Sequence, residues 1–391
     1  VIVKEDEMID FCRRLLQTAS CSGQEEEVAL LLSQTMSSLG YDDVWTDHLG
    51  NVIGKIKGRC KGMTVLFDGH MDTVPADPSQ WTRHPYGGEI DGGKIYGRGA
   101  SDMKGSLAAM VYAVAQLKLA AIVPEGDIYV AGTVCQELFE GVALKAVMDE
   151  VKPDLVIIGQ ATGLDLNIGQ RGRAELKATA IGQSAHSSNP EAGSNAVDVM
   201  LAFLEQAAAF QPETHDQLGK SIAVITDIVS SPYPGASVIP DRCTVTIDRR
   251  LLPGEKEDDV MGRYRSIDPS VQVEIAEQMI DCYTGHRLGG KRYYPAWLME
   301  LDDPVVNVAL KALHGQGIPA KIGSYQYCTS GSYSAGVAKV PTIGFGPSEE
   351  RHSHIVDEYI EIEQLAKSAQ GYYALAKAFA LLPRSEKLEQ L

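Results

Sequence analysis

The sequence predicts an α/β protein: a mostly parallel sheet domain interrupted by an inserted α+β unit of ferredoxin-like order. Three observations predict it. Short buried apolar runs alternate with helical stretches at both ends of the chain, the pattern of a parallel sheet covered by helices. Between about 171 and 291 the texture changes to strands with one covered face, in the order β-α-β-β-α-β. At 391 residues the chain also exceeds what one hydrophobic core usually supports. The predicted division is 1–170 plus 292–391 for the sheet domain and 171–291 for the insertion.

Residues 5–39 read as two helices. The first carries Ile9, Cys12, Leu15 and Leu16 on one face, and the second, starting after Ser22-Gly23, carries Val28, Leu31, Leu32, Met36 and Leu39. The segment 47–51 (Asp-His-Leu-Gly-Asn) has hairpin-turn chemistry before the strand that starts at Val52. A helix over 104–119 should turn Leu107, Met110, Val111 and Val114 inward, and Gly105 lets the backbone pass closely. In the insertion, 174–181, 221–228, 243–247 and 271–275 are strands, and 195–210 and 257–264 are helices. Helices at 304–313 and 362–382 then cover the main sheet, and the charged tail 384–391 is expected to fray.

Four of the buried strands empty into polar residues. The run from Thr64 ends in His70-Met-Asp72, that from Asp127 in Cys135-Gln136-Glu137, that from Asp154 in Gly159-Gln160, and that from Val340 in a loop containing His352 and His354. A further acidic loop, Tyr96-Gly-Arg-Gly-Ala-Ser-Asp102-Met-Lys-Gly105, follows the first by about thirty residues. Ligands of open α/β sheets gather outside the carboxyl ends of the strands. A single histidine after a strand is ordinarily structural, but a carboxylate two residues on, placed to fix its tautomer, is how metal-ligating histidines are held. His70, Asp102, Gln136 or Glu137, Gln160, and His352 or His354 form a His/carboxylate set without clustered thiolates, which suits Zn2+, with Co2+ or Mn2+ as alternatives. Five donors exceed the needs of one ion and suit two that share a bridging carboxylate.

These motifs resemble the dizinc aminoacylase/carboxypeptidase family, which includes glutamate carboxypeptidase, acetylornithine deacetylase and succinyl-diaminopimelate desuccinylase, and most of all its YgeY-type peptidase branch. The carriers are Gly69-His70-Met-Asp72-Thr-Val, Gly97-Arg-Gly-Ala-Ser-Asp102-Met-Lys-Gly, Gly169-Gln-Arg-Gly-Arg173, Ser184-Ala-His186-Ser-Ser, and His354 four residues before Glu358. The resemblance spans essentially the whole chain. It implies a zinc-peptidase-like sheet domain with a lid that also dimerises, and hydrolysis of an amide bond in a small carboxylate-bearing substrate. Asp102 would bridge two zinc ions, His70 would serve one, Glu137 and His354 the other, and Asp72 would orient His70. His186 would reach the partner subunit's active site and stabilise the oxyanion. Its alternative is an ordinary turn residue. Arg249 or Arg250 could clamp a substrate carboxylate, or simply form surface ion pairs, and Gln170, Arg171 and Arg173 bind substrate or fix the hinge.

Two departures bear on activity. The family's catalytic base position holds Gln136, and its further Glu ligand is Gln160. An amide cannot take a proton from water, and it brings no negative charge to a dication, so one ion position could be empty. Two isosteric exchanges fit an inactivated variant, a natural non-hydrolytic relative that keeps fold and dimer, or a Glu/Gln misassignment. Cys135 is either a substitute nucleophile or ligand, or a buried structural thiol. A net charge of −17 argues against nucleic acid and anionic membranes as partners. No secretory or transmembrane run is visible. Seven scattered cysteines fit a reducing cytoplasm, the expected location.

Overall fold

The computed structural model describes residues 4–60 and 62–382, so the tail 384–391 lies outside the described residues. Its larger sheet has nine strands. In spatial order they are Asp43–Thr46, Val52–Ile56, Ile128–Thr133, Val65–His70, Leu155–Ile158, Thr342–Gly344, Leu166–Gln170 and Trp297–Leu298, with Ile322–Tyr325 also paired to Leu166–Gln170. The four central strands, from Ile128–Thr133 to Thr342–Gly344, run parallel. The margins are antiparallel, beginning with the hairpin Asp43–Thr46/Val52–Ile56, except that Ile322–Tyr325 runs parallel to Leu166–Gln170. Every residue of Val65–His70, Ile128–Thr133 and Leu155–Ile158 is buried, as continuous apolar runs in a parallel centre require.

The hairpin turn forms because the Asp47 carboxylate accepts from the backbone N–H of Leu49, Gly50 and Asn51. Helix Glu5–Gln17 buries Met8, Phe11, Cys12, Leu15 and Leu16, while Ile9, assigned to that face from sequence, is only half buried. Helix Gly105–Leu119 departs further from expectation. All of its residues from Gly105 to Leu117 are buried, so Leu107, Met110, Val111 and Val114 are part of a fully enclosed helix rather than one stripe. It lies between Glu5–Gln17 and the last helix, Ile362–Ala380, which explains an apolar surface all round. A Cβ at Gly105 would collide with Ala100 and Ile360, so the close approach it permits is to the turn before the helix and to the strand Tyr359–Glu361.

The smaller sheet runs Ile222–Ser231, Arg242–Leu251, Gly172–Ile181, Gln272–Ile275, with Tyr293–Tyr294 also on Gly172–Ile181, and every pair is antiparallel. Gly172–Ile181 alternates buried and half-buried residues along most of its length, so one face is covered. Helices Ala196–Ala208 and Glu257–Arg265 cover it, and Leu176, Met200, Phe203, Val245 and Tyr264 share a core separate from that of the larger sheet. Strand Ile222–Ser231 is an edge with one neighbour, and nine of its ten residues are exposed.

Two segments cross the division drawn from sequence. Cys282 and Leu288, in the hairpin Glu277–Asp281/Arg287–Lys291 and its turn, pack into the larger core. Tyr283 Oη donates to the Gly50 carbonyl at 2.9 Å and Thr284 Oγ1 to that of His48 at 2.8 Å. Tyr293–Tyr294, placed with the larger sheet from sequence, completes the smaller one. The chain thus crosses between the two cores more than twice.

Candidate metal centre

Parallel pairing brings the carboxyl ends of the four central strands to one side of the sheet, and His70, Gln136, Glu137, Gln160 and His354 all follow those ends. Ligand atoms of His70, Asp102 and Glu137 lie within 4.8 Å of one another. His354 Nε2 completes the cluster, 3.1 Å from Glu137 Oε2 and 3.4 Å from Asp102 Oδ2. His352 instead faces Ser348 and Tyr359. A cavity of about 290 Å³ opens onto this cluster, with Asp102, Gln136, Glu137, Gln160 and His354 in its wall.

The buried groups behind the cluster hold it. His70 Nδ1 lies 2.9 Å from the Asp72 carbonyl and 3.3 Å from its carboxylate, so that nitrogen carries the proton. Asp72, fully buried, also accepts from the backbone N–H of Gln136 and Glu137, both at 3.0 Å, and from Ser22 Oγ at 2.6 Å. One carboxylate therefore orients the imidazole and pins the loop that carries residues 136 and 137. Asp102 is held similarly. Glu358, also fully buried, accepts from the N–H of Ser101 (2.8 Å) and Asp102 (3.1 Å), and from Arg98 at 2.7 Å. Sequence reading used Glu358 only as a spacing mark for His354, although an acidic residue beside an otherwise polar strand start was a usable signal. Ser22 carried no such signal.

The charge distribution fits a cation. Burial pushes Glu137 up to about 7, and the Asp102 charge adds to it. Burial opposes the charged form of His70, but Asp102 and Asp72 outweigh it and hold the imidazole well above its usual range. Asp102 and then Glu137 raise His354 to about 10. With Nδ1 protonated, a neutral His70 sets the Nε2 lone pair against Asp102 Oδ1 at 2.9 Å, an arrangement that needs either a second proton or a metal ion. Carboxylates and imidazoles converging with these shifts are a donor set for a Zn-like dication.

The two amides sit in the same wall. Gln136 is 6% exposed, and Gln160 is 2% exposed. Gln160 Oε1 accepts from Tyr327 Oη at 3.0 Å, which leaves its Nε2 facing His70 Nε2 at 2.9 Å. In that orientation it presents a donor where a ligand must present a lone pair. Cys135 is fully buried, lies 3.6 Å from Glu25 and is absent from the cavity wall, so it is placed as a structural thiol.

The remaining candidates separate. Arg250 lines the cavity. Arg249 does not. It is 4% exposed and donates to Glu255 at 2.8 Å, an ion pair that ties the strand to the following turn. Arg173 lines the cavity but is engaged by Glu140 and Asp248, both at 2.8 Å. Gln170, fully buried, bonds Ser332 and Thr329, and Arg171 bonds the Lys220 and Gln326 carbonyls, so both fasten the junction. His186 is exposed, with Nδ1 accepting from Ser188, and takes no part in this chain's cavity.

Comparison with known proteins agrees with this geometry. The model of peptidase family M20/M25/M40 matches residues 66–378. The Escherichia coli protein YgeY, described as uncharacterized, is 31% identical over 94% of this chain and 93% of its own length. An acetylornithine deacetylase of Photorhabdus laumondii is 26% identical over 97% of this chain and 99% of its own. The aminopeptidase PepT of Bacillus cereus superposes with a TM-score of 0.76 at 21% identity, covering 97% of this chain and all of its own. The chain belongs to peptidase family M20/M25/M40 and is, by that membership, a metallo-amidohydrolase.

Proposed function

We propose that this protein hydrolyses a peptide or N-acyl amide bond in a small carboxylate-bearing substrate, on two divalent ions held by His70, Asp102, Glu137 and His354. One observation carries the reading: donor atoms of His70, Asp102 and Glu137 converge within 4.8 Å at parallel strand ends, beside a cavity. When bound, the ions supply Lewis acidity toward the scissile carbonyl and lower the pKa of a water; zinc suits the donor set best. Asp102, with one oxygen 2.9 Å from His70 Nε2 and the other 3.4 Å from His354 Nε2, would help hold both ions. Asp72 keeps His70 in the tautomer that offers Nε2. Arg250 fixes the substrate carboxylate, and the cavity walls exclude bulk water.

By the family resemblance residue 136, which lines the cavity, would take the proton from water, and as glutamine it cannot. Gln160 withholds a negative charge from the ion beside His70. The chain as written is therefore folded but slow, with that ion bound weakly. The two amides also favour a second reading, a non-hydrolytic relative that binds small carboxylates. The smaller unit, residues 172–275 with Tyr293–Tyr294, is proposed as a lid and as the dimerisation surface, with His186 delivered to the partner's cavity. The bare edge Ile222–Ser231 supports that arrangement.

Metal content measured together with turnover of a panel of N-acyl amino acids, for this chain and for Gln136→Glu/Gln160→Glu, tests the reading. The expectation is about two metal ions per chain and much faster hydrolysis in the double variant. No hydrolysis in the double variant with both ions bound would favour the binding protein.

A further inference from the structure

A second cavity, of about 520 Å³, lies in the smaller unit and shares no lining residue with the metal cavity. Its wall holds four cations, Arg171, Lys220, Arg249 and Arg263, and, among the described residues, no carboxylate. Strand parity places it. Along Arg242–Leu251, Cys243, Val245, Ile247 and Leu251 join the core beneath the helices, and Arg249 lies on their side of the pleat. Arg250 has the opposite parity and lines the metal cavity. The two adjacent arginines therefore serve opposite faces of one sheet.

These cations are under-compensated. Arg249 Nη2 pairs with Glu255 at 2.8 Å and Arg263 Nη1 with Glu213 at 3.3 Å. Arg171 has no carboxylate of its own and donates to the Lys220 carbonyl and to two oxygens of Gln326. Burial, and then repulsion from Arg250, hold the Arg171 guanidinium below its usual range, and Glu350 offsets this only in part. The Nε atoms of Arg171 and Arg249 are buried without a hydrogen-bond partner among the described residues. In a chain of net charge −17, with acids to spare, four cations thus meet two paired carboxylates. Buried positive charge without its counterion is costly, and guanidinium forks suit a carboxylate supplied from outside. The rest of the wall selects the body of that anion. Ala207, Ala208 and Ala223 leave room that longer side chains would fill, and the rings of Phe210 and Tyr264 meet edge to face at 5.6 Å. Arg263 lies 4.6 Å from the Phe210 ring centre, so charge and aromatic face adjoin. We propose that this cavity is a second ligand site, for a small carboxylate with an aromatic body, on the face of the smaller sheet turned away from the metal cavity. It is independent of turnover at the metal cluster.

The probes are phenylacetate and the neutral phenethyl alcohol, titrated calorimetrically into the full chain with zinc chloride present. Charge-assisted hydrogen bonds predict about tenfold tighter binding of the carboxylate. Arg171 and Arg249 are built into the junction and the sheet, so the variant removes the two outer cations, Lys220→Met/Arg263→Met, and a denaturation curve checks its fold. It should weaken phenylacetate about tenfold, whereas Arg250→Met, on the opposite face, should change it by less than about threefold. Equal or weaker binding of phenylacetate than of the alcohol overturns the proposal, and that comparison needs no variant to fold. A loss in Arg250→Met as large as that in Lys220→Met/Arg263→Met places the ligand in the metal cavity and overturns it too. Phenylacetate binding that neither variant weakens refutes the assignment to this cavity.

Discussion

The two sheets present their candidate functional residues in opposite ways. At the larger sheet, Asp72 and Glu358 are fully buried, and each accepts three or more hydrogen bonds that fix a loop of the metal cluster. At the smaller sheet, His186 is exposed, with its ring bonded to Ser188 and its backbone bridged to Val238, and the edge strand displays Val224, Ile225, Ile228 and Val229 at about half exposure. One region gathers the metal cluster from within the chain. The other presents an apolar edge and a histidine outside that cavity, which we propose meet a second copy. The difference teaches that burial plus satisfied hydrogen bonds marks a finished site, whereas an apolar, unpaired edge marks an unfinished one.

The strongest challenge to the finished site is its two amides. Gln136→Glu together with Gln160→Glu should raise amide hydrolysis by about 10²–10⁴, the usual contribution of a general base. Gln136→Glu alone should recover little, since base and metal act on the same water and their effects are not additive. Rates of this chain within tenfold of the double variant would show that another group serves as base.

The next challenge compares ion pairs. Arg98→Met leaves Glu358 buried without its cation, which should cost about 3–5 kcal/mol in chemical denaturation. In the smaller unit Arg263 pairs with Glu213 at 3.3 Å on the surface, and Arg263→Met should cost at most about 1 kcal/mol. Similar losses for the two would erase the contrast drawn between the regions.

Much of this was legible in the sequence. Continuous apolar runs ending in His70, Gln136, Gln160 and the 345–354 loop located the parallel centre, because a strand buried on both faces needs no alternation. Alternation likewise located Gly172–Ile181. What was illegible depended on long-range contact. The enclosure of helix Gly105–Leu119 is set by a helix more than 240 residues away, as its first residue and Ile362 show. Arg249 and Arg250 are chemically identical neighbours, and only the alternation of the strand and the position of Glu255 decide which one turns to the cavity. Glu25, buried beside Asp72 and Cys135, reads in sequence as one more surface acid in Gln24-Glu25-Glu26-Glu27.

Glu25 offers a pH test of the same contrast. Burial first, and then the Asp72 charge, raises its carboxyl to about 7. The folded state therefore keeps a proton that the unfolded chain has released, and stability falls as pH rises from about 4.5 through about 7. Glu25→Gln removes this dependence while its Oε1 can still accept from the N–H of Gly23 and Cys135. The variant should match the parent near pH 4.5 and exceed it near pH 8 by on the order of 2–3 kcal/mol. Parallel stability curves across that range would place the Glu25 titration elsewhere.

The smallest effect tests the unfinished region. If strand Ile222–Ser231 meets a second copy, a lysine at Ile228 must bring a positive charge into an interface rich in valine and isoleucine. Ile228 is 51% exposed and Val229 54%, so the isolated chain tolerates Ile228→Lys with little change in its own stability. Pairing of two such strands about a twofold axis would set the new charges near each other, since a twofold axis makes the contact self-complementary. The expected result is a dimer for the parent in sedimentation at micromolar concentration and about a tenfold weaker one for Ile228→Lys, roughly the effect of 1.4 kcal/mol. The larger unit should be indifferent, with metal content unchanged by the substitution. A monomeric parent would refute the dimer outright, and a dimer insensitive to Ile228→Lys would move the interface to another face of the smaller unit, with helix Ala196–Ala208 and its exposed Leu201 the next surface to test.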